Sequence, residues 1–296
     1  MLNTKQTGIL PSFLINALFI LLSLACVLPL VLILSASLTD DVSLTLNGYS
    51  LFPSKFSLSA YEYIFKSPRQ LINSYQITIV VTVVGTFFSL LCTSMLAYTI
   101  ARRDFYLHRL LSFLLIFTLL FNGGMVPSYI MITRYYHLKN TIFALILPYL
   151  IIPWHVFLMK GFFMDIPTSL IEAAKIDGAR ETYIFFKIIV PISKPAFATI
   201  GLFCAFTYWN DWWLSLLYID NPRLTSLQLY LYRIMNNIQF LTSTMRAGNI
   251  NINLADLPGE TARMALCILA AGPMLFIFPF FQRHFIRGLT LGSVKG

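Results

Sequence analysis

Six stretches of this chain are apolar over the roughly 20 residues that a helix needs to cross about 30 Å of hydrocarbon. They lie near residues 13–35, 74–100, 110–132, 141–162, 195–219 and 262–281. In lipid every backbone N–H and C=O must be satisfied internally, and runs of this length do that as helices. Composition agrees: 57% of the 296 residues are apolar and 11% are charged, against about 25% charged in a soluble domain. The sequence therefore predicts an all-α polytopic membrane protein, a single transmembrane domain over residues 1–296 with six spans. The first stretch runs past Pro29 without a small-residue cleavage site and reads as a retained span, not a secretion signal.

Six crossings place both termini on one side. That side carries twelve Lys and Arg residues against eight on the other, leaving Arg263 aside at a span edge. Positive residues favour the cytoplasm, so both termini are expected inside; the short loop "ARRDFYLHR" is the clearest case. Two long loops, about 38–73 and 220–261, then lie outside. In the second, Leu227, Leu231, Ile234 and Ile238 share one helical face, suited to an outer-surface helix that touches a partner or packs on neighbouring spans. The net charge of +9 comes from scattered residues, which argues against nucleic-acid binding. Cys26, Cys92, Cys204 and Cys267 lie in separate apolar stretches and read as small buried hydrophobes. The four histidines form no metal-binding spacing, and no catalytic pair or metal site is visible.

One polar passage interrupts this pattern, within an expected cytoplasmic loop of about 163–194: "DIPTSLIEAAKIDGARETYIFFKIIVP". Ser169 precedes Glu172 by three residues, the capping-box spacing that predicts a helix start. Gly178 suits the left-handed position that ends one. The result is about two turns, with Leu170, Ala173, Ala174 and Asp177 on one face by the i, i+3, i+4, i+7 rule. The two alanines leave room for close approach by another surface. So short a helix is marginal alone and needs something to dock on. A second helix is expected over 181–190, ending at Pro191 and feeding the fifth span as a stiff connection. The alternative is a solvated loop with ordinary caps.

Glu172, Ala173, Ala174, Gly178, Ile188, Val190 and Pro191 stand at the spacing of the EAA loop in ABC-type importer permeases, with Val190 where leucine is usual. "FNGGMVPSYIMI", "HLKNTIFALILP", "YWNDWW", "PGETARMA" and "PFFQRHFIRGLTLGSVKG" extend the likeness over nearly the whole chain. It resembles the carbohydrate branch, in particular the smaller maltose-permease subunit and its polysaccharide and complex-oligosaccharide relatives. The resemblance implies the type I ABC importer permease fold in a bacterial cytoplasmic membrane. It makes the short helix a coupling helix, with Glu172, Ala173, Ala174, Asp177 and Gly178 docking on a cytoplasmic ATPase and Ser293 and Lys295 as further contacts. It also implies a second homologous permease, two ATPase subunits that hold ATP and Mg, an extracytoplasmic solute-binding protein and a carbohydrate cargo. The chain itself has no GxxxxGK[ST] phosphate loop, so it is expected to be non-catalytic and without a cofactor.

The substrate path is expected near Trp209, Asn210, Asp211 and Trp212, where rings suit the C–H faces of sugars and polar groups their hydroxyls. A carboxylate in a span is costly, so Asp211 must face water or a partner group. Two readings remain: substrate contact, or interface anchoring by the tryptophans with Asp211 capping a helix break. Gly123, Gly124 and Pro127 allow either a flexing point or close helix packing. The rival class is a secondary transporter or channel with Asp211 as an ion or proton site.

Overall fold

The structure is a computed structural model and describes residues 9–246 and 259–292. Among the described residues the regular structure is helical, with an isolated antiparallel bridge between Thr39 and Phe56. The described residues divide into two compact units, 9–68 with 233–246 and 259–272, and 69–232 with 273–292.

The first unit opens with α1 (Ile9–Ser37), then α2 (Asp41–Asn47) and α3 (Ser59–Ile64). The side chains from Phe13 to Val31 of α1 are exposed, an apolar rod suited to lipid. The Asp40 carboxylate caps α2 by accepting from the Ser43 N–H at 3.3 Å. Asp41 accepts from both the N–H and the hydroxyl of Thr261, at 3.0 and 2.9 Å.

The second unit is built on α4 (Pro68–Ala101), 34 residues without a break. After it come α5 (His108–Leu120), α6 (Met125–Ile130) with a π turn at Met131–Tyr135, α7 (Phe143–Ile146) and α8 (Pro153–Met164). Next are α9 (Thr168–Ile176) and α10 (Glu181–Tyr183), the latter passing through π-helical Ile184–Ile189 into α11 (Val190–Ile192). α12 (Lys194–Trp209) and α13 (Trp213–Tyr218) follow. α14 (Leu227–Arg246) and α15 (Glu260–Gly292) each run from one unit into the other.

Three helices are long and apolar enough to span a membrane unbroken: Phe13–Ser37, Pro68–Ala101 and Glu260–Ile277. Three bent pairs bring the number to six if each counts as one span: His108–Leu120 with Met125–Tyr135 at 113°, Phe143–Tyr149 with Pro153–Met164 at 52°, and Glu181–Ile192 with Lys194–Trp209 at 86°. The third span, expected over 110–132 with either a flexing point or close packing at Gly123, Gly124 and Pro127, is broken there. Gly124 at φ +88° turns the chain, with its N–H donated to the Asn122 side-chain oxygen at 2.8 Å. The expected fifth span stops at Trp209 and resumes at Trp213. The supposedly stiff connection into it turns by 86°. Pro191 lies inside α11 instead of ending the helix before it.

Helices in lipid gain little from hydrophobic exclusion and associate by close fit, which favours small residues. α4 follows this rule: Ser74, Thr78, Thr82, Gly85, Ser89, Thr93 and Ala97 are buried at steps of three and four residues, one continuous face. One core cluster joins Ala97 and Tyr98 to Val156, Met159, Phe163, Ile184 and Ile200. A second joins Val81 to Leu145, Tyr208, Leu214 and Tyr218. The expected helix over 227–238 forms within α14. Leu227, Leu231 and Ile238 are buried, so its apolar face packs inward.

Candidate functional site

The polar passage folds as a two-turn helix, α9. Its start differs from the expected capping box. Pro167 occupies the cap position with φ −58° and ψ 127°, no side chain caps it, and Ser169 and Glu172 both lie inside the helix. A proline carbonyl opens the first turn instead, accepting the Leu170 N–H at 3.2 Å. The end follows the sequence. Gly178 stands at φ +77°, its N–H donates to the Lys175 carbonyl at 3.0 Å, and the Ala179 N–H donates to the Ala174 carbonyl at 2.9 Å. These two bonds are a Schellman closure and satisfy carbonyls that a helix end leaves open.

α9 is two-faced. Ile171 and Ala174 are buried against the core that holds Phe163, Ile184 and Ile189. Glu172, Ala173, Asp177 and Gly178 are exposed, as is Ile176 at 86%. The assignment of both alanines to one outward face needs correction: Ala173 points outward, whereas Ala174 lets α9 approach the chain's own core. Ser293 and Lys295 lie outside the described residues.

Beneath the outward face is a charged ring that the sequence reading did not contain. Arg102, just past the end of α4, donates from Nε to Asp104 Oδ1 at 2.8 Å, and its Nη2 pairs with Asp104 Oδ2. Its Nη1 reaches Glu181 Oε2 at 3.0 Å and the Tyr98 hydroxyl at 2.8 Å. The Tyr98 hydroxyl in turn donates to Glu181 Oε2 at 3.0 Å. Lys175 of α9 closes the ring, 3.1 Å from Asp104 Oδ2 and 3.1 Å from Glu181 Oε1. Each acid thus serves both cations. Hydrogen bonds from Arg102, and after burial's opposing effect from Lys175, hold the Asp104 carboxyl well below the usual range. Burial opposes ionisation of Glu181, but bonds from Lys175, Tyr98 and Arg102 outweigh it and lower its pKa. Bonds to Glu181 and Asp104 raise that of Lys175. Cavities of about 420 and 450 Å³ flank the ring, the first between Tyr98 and Phe186, the second beside Glu172 and Ile171.

The expected substrate-path residues divide. Trp209 is buried and Asn210 is exposed. The Asp211 carboxylate accepts from the Tyr149 hydroxyl at 3.0 Å and from the Leu214 N–H at 3.2 Å, which ties it to the first turn of α13, whose cap position is Trp212. The Ser226 hydroxyl donates to the Asp211 carbonyl at 3.1 Å. Trp212 and Trp213 are partly exposed, with Trp212 stacked on Tyr232 at 4.9 Å and edge-on to Trp213 at 5.6 Å. This aromatic shelf includes Tyr232, which the sequence reading missed because it lies in the next helix.

Fold and site together define a polytopic helical membrane protein. No family model matches the chain. It is 39% identical over 286 residues to the polygalacturonan/rhamnogalacturonan transport system permease protein YtcP of Bacillus subtilis (strain 168), covering 96% of this chain and 97% of that one. It is 30% identical to the arabinooligosaccharides transport system permease protein AraQ of Halalkalibacterium halodurans, covering 99% of each. The crystal structure of a bacterial ABC transporter involved in the import of the acidic polysaccharide alginate contains a chain that matches at TM-score 0.77 and 25% identity, covering 96% of this chain and 99% of that one. The chain belongs to the non-catalytic permease subunits of ABC-type sugar transport systems.

Proposed function

We propose that this chain is half of the membrane path of an ATP-driven oligosaccharide importer in the cytoplasmic membrane of a bacterium. It crosses six times with both termini inside and pairs with a second, homologous permease. An extracytoplasmic binding protein delivers the sugar, and two cytoplasmic ATPase subunits hold ATP and Mg. The observation that carries this reading is the outward face of α9: a capped two-turn helix whose Glu172, Ala173, Ile176 and Asp177 side chains are exposed. A carboxylate on that face suits a basic group on the ATPase. The ATPase has only to bind one arrangement of the membrane helices more tightly than the other, and the equilibrium shifts by that difference.

The polymers named for the relatives support a sugar-chain cargo. The shelf of Trp212, Trp213 and Tyr232 offers ring faces to the C–H faces of such a cargo, with Asn210 beside it for hydroxyls. The ion-site rival rests on Asp211, whose carboxylate is engaged by Tyr149 and the start of α13.

Docking is tested by Glu172→Lys and Ala173→Trp. Both variants are expected to insert at the parental level and to lose the co-eluting ATPase chain in mild detergent. Undiminished co-elution with both would refute a docking role for α9.

A further inference from the structure

On the reading just proposed, force from the ATPase enters at α9, and the open question is which span receives it first. The covalent route runs through α10, the π-helical stretch and α11, then bends by 86° before α12. A π-helical stretch followed by a sharp bend is a compliant path. The non-covalent route is shorter. Lys175 departs from α9 toward Asp104 and Glu181, and both acids also hold Arg102 at the end of α4. From there α4 runs unbroken for 34 residues.

The ring is more than a chance surface pairing. An isolated exposed ion pair contributes little because two long side chains must be ordered for one contact. Here each ordered side chain makes at least two contacts. Arg102 is the sheltered member, its side chain 14% exposed, and it grips Asp104 through two nitrogens in the fork geometry specific to arginine. Tyr98 anchors the ring to the core, its aromatic ring 5.5 Å from Phe185 and 6.3 Å edge-on to Phe163. Ile171 and Ala174 seat the same helix on the same core.

We infer that Lys175 is a positioning residue that clamps the coupling helix to the end of α4, so that α9 and α4 move as one body and the second span takes up the ATPase-driven displacement before the fifth. Arg102, Asp104 and Glu181 are the other three corners of the clamp. Glu172 and Ala173 make the docking contact, whereas Lys175 determines where its motion goes.

The test uses the intact importer, purified with its co-eluting chains and placed in nanodiscs. The native cysteines are replaced, and nitroxide labels are attached at Met95→Cys on α4 and Thr168→Cys at the start of α9. In the parent, the distance distribution between the labels is expected to be the same with ATP plus vanadate as without nucleotide. In Lys175→Met, and independently in Glu181→Gln, ATP plus vanadate is expected to shift it. Lys175→Arg, which keeps the charge, is expected to restore the parental invariance. Co-elution of the ATPase with the variants shows that they are folded and docked. A nucleotide-dependent shift already in the parent, or an unchanged distance in both neutral variants, overturns the clamp while leaving docking intact. Absence of any ATPase from the parental preparation overturns docking and clamp together.

Discussion

Gly85→Ala tests the packing of α4 at its tightest point. A Cβ at this position would lie 2.7 Å from Cζ of Tyr208 and 2.8 Å from both Cε atoms, far inside contact distance. The ring has little freedom to retreat. Tyr208 is 2% exposed, stands edge-on to Tyr149 at 6.1 Å, and donates its hydroxyl to the Ile146 carbonyl at 3.0 Å. Forcing a methyl into a filled core costs about 1–3 kcal/mol. Loss of the Tyr208 hydrogen bond as the ring shifts adds about 1 kcal/mol, and the better helix propensity of alanine returns about 1 kcal/mol. The net expectation is a loss of roughly 1–3 kcal/mol, by these same increments. Thermal unfolding of the detergent-solubilised chain measures it, and Gly85→Ala combined with Tyr208→Leu is expected to recover part of the loss. A single variant as stable as the parent would refute this account of the interface.

Two further substitutions separate backbone and side-chain effects. Gly178→Ala meets no atom within 4 Å, so its cost is the left-handed backbone alone, about 1–2 kcal/mol; unfolding measurements are expected to show Gly178→Asn as the milder change. Asp211→Ala strips a partner from both the Tyr149 hydroxyl and the Leu214 N–H and is expected to destabilise by about 1–3 kcal/mol. Asp211→Asn keeps an acceptor oxygen for the Leu214 N–H and is expected to retain ATP-dependent uptake; abolished uptake in a stable Asp211→Asn protein would revive the ion-site rival.

The all-helical membrane character was legible because the bilayer imposes one length on every apolar run, and α1, α4 and α15 follow it. The bends were only half legible. Gly123, Gly124 and Pro127 marked a weak point, but nothing in their order distinguishes close packing from a 113° turn. Gly178 was readable because a positive φ leaves a residue-type signature. The capping box misled because Ser169 and Glu172 have the right spacing, while Pro167, two residues earlier, already fixes the extended backbone that starts the helix. The charged ring was illegible. Its halves lie about 70 residues apart in sequence, Asp104 against Lys175, and only the packing of α9 beside α4 brings them within 3.1 Å. The sign pattern in "RRD" and "K…E" shows potential partners without saying which meet. Ala174 was misassigned for a related reason: helical periodicity defines a face but not which way the helix is turned.

The central claim is that α9 lies on the cytoplasmic side, where an ATPase reaches it. The most direct measurement is labelling of Ile176→Cys, in a chain with its native cysteines replaced, by a membrane-impermeant maleimide. Ile176 is 86% exposed in the chain by itself, so in cells that make the chain without an ATPase partner the accessibility of the thiol is set by sidedness. Labelling only after the cells are permeabilised is the predicted result; equal labelling of intact, sealed cells would contradict the account.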